Sequence, residues 1–276
     1  MALMERQGSL ALVDPSKIAR RGAISVMQAR LAVMWKFAWS VGATAAINPT
    51  LYLLSVGIGV GKLINAHSGS VDGVKYLTFL APALLATAAI QNSMDETVFP
   101  VLEGFKWTKS FFAIHSTPVS SKQIANGVLL AAMVRTAFSV TVYGVVVYLF
   151  GGFTSTRGWL AIPIALFAGA AFGSFIMGIA ASAKNDDSFF MLLSRFVIMP
   201  LFLFSGTFYQ LNSMPIYLRW IGWISPLWHT TELGRYFTYG HHLSSILMVI
   251  HVGYLAAMLI AGLKISHRAF EKRLMK

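Results

Sequence analysis

Six stretches of this chain are apolar and long enough to cross a bilayer, and nothing else in the sequence limits its fold so strongly. They run at about 39–61, 76–93, 124–150, 159–183, 189–209 and 243–263. A hydrocarbon core of ~30 Å needs about 20 apolar residues per helix. Charged residues make up only 12% of the chain, about half the share usual in soluble domains. The expected fold is therefore all-α and integral to the membrane, with six transmembrane helices.

Charge sets the expected orientation. If the N-terminus lies inside, fifteen Lys and Arg residues fall on inner segments and five on outer loops. That bias predicts both termini inside. It also explains the net charge of +12 without nucleic acid as a partner. The N-terminal sequence MALMERQGSLALVDPSKIARRG has no apolar core, so no cleavable signal peptide is expected. There are no cysteines, which removes disulfides and thiolate metal sites. Before the first span, Ile24, Met27, Leu31, Met34, Trp35 and Ala38 recur at helical spacing. Residues 1–38 thus read as a cytoplasmic arm with an amphipathic helix on the inner leaflet, or as the mere start of the first span. Residues 39–276 form the transmembrane domain.

The outer segment from Gly206 to His242 is aromatic rather than polar, with Trp220, Trp223, Trp228, Tyr236 and Tyr239. Such rings prefer the membrane interface. Pro215 and Pro226 divide it into two short helices, too short to span, so an external re-entrant or interfacial hairpin is expected.

Several residues invite a chemical reading. SVGIGVGKLI at 55–64 is not a phosphate loop, because Val56 and Leu63 stand where glycine and Ser or Thr are required. Its glycines read instead as sites of close helix packing. His229, Glu232 and Arg235 share one helical face. They lack a second histidine at metal-ligand spacing, so a structural Glu232–Arg235 pair stands beside contact between Glu232 and a passing polar substrate. Arg135 is about eleven residues, or ~16 Å, into its span. Arg195 lies nearer the inner edge and can snorkel. For both, structural pairing and a substrate path remain open. The inner loop DETVFPVLEGFKWTKSFFAIHSTPVSSKQI can form a short helix at Leu102–Phe112 lying along the membrane, which a motor could push, or it is an ordinary connection.

That loop, with Trp107, Lys109, the HSTPVSSKQI turn and then Arg135, resembles ABC-2 type transporter permeases of the nodulation-protein-J-like branch. The segment 199–240, with FSGTFYQLNSMP followed by PLWHTTELGRYFTYG, is similar to the family's fifth span and the segment after it. Gln210 departs from a common proline and Ser116 from an alanine. The resemblance implies a permease subunit of the cytoplasmic membrane that binds no cofactor itself. A separate nucleotide-binding protein would supply ATP and Mg. A second copy or a sister permease would complete the path. Glu103 through Ile114 would be the coupling helix, with Glu103, Phe105, Lys106, Trp107, Lys109 and Phe111 as contacts to the ATPase. Arg135, Arg195, Phe208, Tyr209, Trp228, Glu232 and Arg235 would be candidates for the path and its exit. The implied function is export of an amphiphile or lipid-linked glycan, with small-amphiphile or drug efflux as the alternative. Two readings from other classes are an outer-face membrane enzyme using His229 and Glu232, and a passive channel.

Overall fold

A computed structural model describes residues 15–36, 38–183, 196 and 198–275. Within them the chain is helical apart from turns and an isolated bridge between Val71 and Val74. The helices are α1 (Pro15–Trp35), α2 (Ala38–Tyr52), α3 (Gly61–Ser68), α4 (Tyr76–Leu102), α5 (Ser110–His115), α6 (Ser121–Leu149), α7 (Ala161–Ser182), α8 (Met199–Phe204), α9 (Ile216–Trp223), α10 (Pro226–Tyr239) and α11 (Ser245–Leu274). Five helical stretches among the described residues are long and apolar enough to cross a membrane: Trp39–His67, Tyr76–Trp107, Ser121–Leu149, Thr156–Ser182 and Ser245–Leu274. Part of the expected span at 189–209, Arg195 included, lies outside the described residues.

Three boundaries differ from the sequence reading. The first span continues to His67, the second to Trp107 and the last to Leu274. Hydropathy ends the second span at 93 because Asp95 and Glu96 follow; the helix continues because Glu96 finds a partner inside the bundle. π-Helical turns occupy Leu53–Val60, joining α2 to α3, and Glu103–Trp107, after α4. Each follows a proline inside the preceding helix, Pro49 and Pro100. Proline removes one helical donor and crowds the turn before it, and widened turns absorb such a defect.

The predicted helix over Leu102–Phe112 is in fact two pieces. The chain breaks at Lys109, whose φ of 54° is left-handed, and restarts as α5. By contrast, α9 and α10 begin at Ile216 and Pro226, as the two outer prolines lead one to expect. Of the glycines at 57, 59 and 61, only Gly57 faces a tight approach, where a Cβ would lie 3.3 Å from Leu77.

Helix α7 sits at the centre, packed on α4 through one face and α11 through another. Small residues bring these backbones together, as expected where lipid supplies no hydrophobic drive between helices. The Ser93 hydroxyl on α4 donates to Gly169 O at 2.7 Å, and a Cβ at Gly173 would stand 2.1 Å from that hydroxyl. On the other face, Ser266 donates to Ser174 O at 2.6 Å, and Gly178 and Gly262 leave no room for a side chain.

The N-terminal helix docks on α6 by a face opposite its apolar stripe. Gly22 and Val26 are buried there, and a Cβ on Gly127 would meet Val26 at 2.6 Å. Ser120 and Gln123 form a capping box at the start of α6. The Gln123 amide also donates to Ile18 O and Ala19 O, tying α1 to that cap. Ile24 and Trp35 remain exposed on the far side.

Candidate functional site

Between α2, α4, α6 and α8 lies a cavity of about 870 Å³. Three helices each turn a polar row into it at near four-residue spacing. Helix α2 contributes Ser40, Thr44 and Asn48; α4 contributes Gln91, Asn92, Asp95 and Glu96; α6 contributes Arg135, Thr136, Ser139 and Tyr143. Four-residue spacing keeps side chains on one helical face. Bringing three such rows together puts polar groups on the wall of a cavity inside an apolar bundle.

Arg135 reaches Glu96, with Nη1 3.0 Å from Oε1 and 3.1 Å from Oε2. An ionised group at membrane depth is costly unless it is paired or faces water, and this pair meets both conditions. Asp95, the next residue on α4, makes no hydrogen bond or ion pair among the described residues. The sequence reading singled out Arg135 but assigned Asp95 and Glu96 to a loop. The signal was present as the i, i+4 pairs Gln91/Asp95 and Asn92/Glu96.

At the basic end of the bundle, the coupling candidates divide. Phe105 and Phe111 are buried, their rings 4.9 Å apart, and both pack on Phe270 of α11 at 5.0 and 5.5 Å. Gly104 permits this, because a Cβ there would lie 2.4 Å from the Phe111 ring. Two arginines cap the cluster, Arg30 from α1 over Phe111 at 5.1 Å and Arg273 from α11 over Phe105 at 4.3 Å. Arg30 also donates to Pro100 O at 3.1 Å and lies 3.8 Å from Glu103. Glu103, Trp107 and Lys109 are exposed, Lys106 is half-buried, and Phe112 adds a further exposed ring.

The opposite end holds a second polar network. Arg235, 1% exposed, pairs with Glu232 at 2.9 Å, donates to Gly206 O at 2.7 Å and lies over the Phe79 ring at 3.8 Å. His241 joins the network between two carboxylates, 2.6 Å from Asp72 and 3.2 Å from Glu232. Tyr239 and Gln210 donate to Asp72 at 2.7 and 2.9 Å. Gln210, the departure from the family's proline, thus anchors the 72–74 turn. Phe208 packs on Phe202 at 5.0 Å, and the Tyr209 hydroxyl donates to Leu203 O at 2.9 Å.

The hydrogen bond to Glu232 raises the His241 pKa against the opposing effect of burial. Burial pushes the Glu232 carboxyl up, but His241 and Arg235 together leave it below the ordinary value of 4.5. A raised histidine contributes stability that is complete below its unfolded value near 6.5 and is lost as pH rises through the folded value. A lowered carboxylate contributes stability that is complete above 4.5 and is lost as pH falls through its folded value. Thermal unfolding of the purified protein should therefore show its largest wild-type advantage over His241→Gln between about pH 4.5 and 6.5. An advantage that kept growing above pH 8 would contradict this.

His229 belongs to a different set. Its Nε2–H donates to Trp223 O at 3.0 Å, so its Nδ1 accepts from Nδ1–H of His251 at 2.6 Å. Its ring stacks on Tyr254 at 4.0 Å and meets Trp228 at 5.0 Å. Burial and the facing His251 hold His229 near a pKa of about 4, so it is neutral at physiological pH despite the Trp223 hydrogen bond. His229 and Glu232 are thus engaged separately rather than converging on one space. Among the described residues no group of three His, Asp or Glu side chains is placed to hold a metal ion.

A family model described as ABC-2 type transporter matches residues 22–239. Nodulation protein J of Rhizobium leguminosarum bv. viciae is 27% identical over 248 residues, covering 87% of this chain and 92% of the relative. The protein of the same name from Rhizobium meliloti (strain 1021) is 28% identical, covering 86% and 90%. The inner membrane transport permease YadH of Escherichia coli (strain K12) is 24% identical, covering 78% and 81%.

Proposed function

Because this chain belongs to the ABC-2 type transporter family, we propose that it is the membrane permease subunit of an ATP-driven exporter for an amphiphilic or lipid-linked glycan substrate. It is a multi-pass protein of the cytoplasmic membrane, and membrane subunits of this family are typically not enzymes themselves. In the proposed arrangement six spans place both termini inside. The basic end, with α1, α5 and the end of α11, faces the cytosol. A partner ATPase docks on the exposed Glu103, Trp107, Lys109 and Phe112, and the buried Phe105–Phe111–Phe270 cluster carries its movement into α4 and α11. The substrate passes the cavity, and α9 and α10 form a re-entrant hairpin that shapes the exit. A second copy or a sister permease completes the path.

The observation that carries this reading is the cavity itself. A space of about 870 Å³ that receives polar rows from three spanning helices is costly for a protein that only needs to sit in lipid, and it is what a path for polar groups requires. Mild-detergent purification of the tagged protein from its native membrane tests the partnership. A soluble protein carrying a phosphate-binding loop should co-purify in stoichiometric amount, and recovery of this chain alone would defeat the proposal. Reversing Glu103 to Arg sets a like charge 3.8 Å from Arg30 on the docking surface. Transport per ATP hydrolysed should fall at least tenfold, a loss of about 1.4 kcal/mol or more in coupling, with the amount of assembled protein unchanged. Undiminished transport would remove the loop from the coupling role.

A further inference from the structure

The ionisable side chains that line the cavity among the described residues are Asp95, Glu96 and Arg135, together with the phenols of Tyr52 and Tyr143. Glu96 and Arg135 neutralise each other at 3.0 Å. Among the described residues Asp95 is left as one uncompensated negative charge on the wall. It lies 19 residues beyond Tyr76, about 28 Å along a straight helix, near the basic end of a hydrocarbon core ~30 Å thick. A carboxylate on the cavity wall with no partner among the described residues can meet a charged group that enters the cavity.

A second side chain points the same way. Threonines on membrane helices usually return their hydroxyl to the carbonyl four residues back. Thr44, Thr50, Thr87 and Thr97 all do so here, at 2.7–2.8 Å. Thr136 does not. It forms part of the cavity wall, is fully buried, and its Oγ1 has no hydrogen-bond partner among the described residues. One turn along α4 from Asp95, Asn92 and Gln91 add neutral acceptors, and Phe99 offers an aromatic face.

We propose that Asp95 is the binding point for a positively charged amine carried by the transported amphiphile, with Thr136 and the neighbouring amides as its hydrogen-bonding surround. The proposal rests on the exporter reading and names the charge of its substrate. Three features favour an organic ammonium. Among the described residues no group of three His, Asp or Glu side chains is placed to hold a metal ion. The volume is that of a ligand pocket rather than an ion cage. An anionic headgroup would have to take Arg135 from Glu96 and leave both carboxylates unbalanced. The ammonium can belong to an alkylamine or to an amino sugar; both present the same charge to Asp95.

The test uses the full chain with its co-purified partner in nanodiscs, without ATP. Fluorescence polarisation is read with four dansyl-labelled dodecyl probes: trimethylammonium, sulfate, maltoside and glucosaminide with a free amine. An ammonium-bearing probe should bind at least tenfold more tightly than both the maltoside and the sulfate. In Asp95→Asn that preference should collapse to within about twofold, while Asp95→Glu should keep most of it. A stronger preference for the glucosaminide assigns the amine to a sugar, and one for trimethylammonium to an alkyl headgroup. Equal binding of maltoside and ammonium probes by the wild type, tighter binding of the sulfate, or a preference that survives Asp95→Asn would overturn the proposal. The wild-type comparison needs no variant, so misfolding of Asp95→Asn does not remove the test. ATP-driven movement of an ammonium-bearing probe across vesicles that hold the same complex reports separately on the exporter reading.

Discussion

Gly262→Val is expected to leave almost no assembled protein in the membrane. A Cβ at Gly262 would stand 2.3 Å from the Ser174 hydroxyl, 2.6 Å from Phe175 N and 2.9 Å from Ser174 C. Two of those three atoms are backbone of α7, so no rotamer change relieves the clash. The contact is where α11 meets the central helix, beside the Ser266 hydroxyl bond to Ser174 O. Forcing extra atoms into a packed interface costs about 1–3 kcal/mol where neighbours can shift. Here the helices must separate, which removes the small-residue contact and the hydrogen bond together. Monodisperse protein recovered in mild detergent should fall more than tenfold relative to wild type. Gly253→Val on the same helix is the control, because nothing lies within 4 Å of a Cβ there, and its recovery should stay within about twofold of wild type. Equal recovery of the two variants would show that α7 and α11 do not pack as described.

The second large effect concerns Arg135. Arg135→Ala leaves Glu96 beside Asp95, both carboxylates without a cation on the cavity wall. Removing one partner of a buried pair costs ~3–5 kcal/mol. The Arg135 side chain is 30% exposed, so the lower end, about 3 kcal/mol, applies. Adding Glu96→Gln removes the stranded charge and should restore most of the lost thermal stability. Transport should stay at least tenfold down in the double variant if the pair shapes the path, and should recover with stability if the pair only holds the helices. Melting temperature and vesicle transport on the same three proteins distinguish these outcomes. A single variant as stable as wild type would mean that Glu96 is solvated and the pair is not structural.

Much of the candidate site was readable along the chain and some of it was not. Arg135 stood out as a lone charge in an apolar run, but its partner Glu96 was assigned to a loop, because hydropathy falls at Asp95 whether or not the helix ends there. The Glu232–Arg235 pair was readable because both sit on one helical face. His241 completes that network from Asp72, 169 residues away, and no local pattern marks Asp72. The segment proposed for coupling stood out by its mix of charges and aromatics, and the family resemblance suggested its role. Its division into a buried Phe105–Phe111 anchor and an exposed surface depends on Phe270, Arg30 and Arg273, which come from the two ends of the chain.

Local sequence settled that this protein is helical, crosses the membrane several times and gathers its cations on certain segments. Those properties follow from the length and polarity of single stretches, which a bilayer sorts one helix at a time. It also settled where α9 and α10 begin, since Pro215 and Pro226 act within a turn of themselves. Tertiary structure alone decided which faces meet. Lipid tails are as apolar as leucine, so no hydrophobic pattern tells a lipid-facing stripe from a helix-facing one. Close approach at Gly173, Gly178 and Gly262 and pairing of Arg135 with Glu96 chose among faces of similar hydropathy. The cavity, with Asp95 on its wall, exists only as a result of that choice.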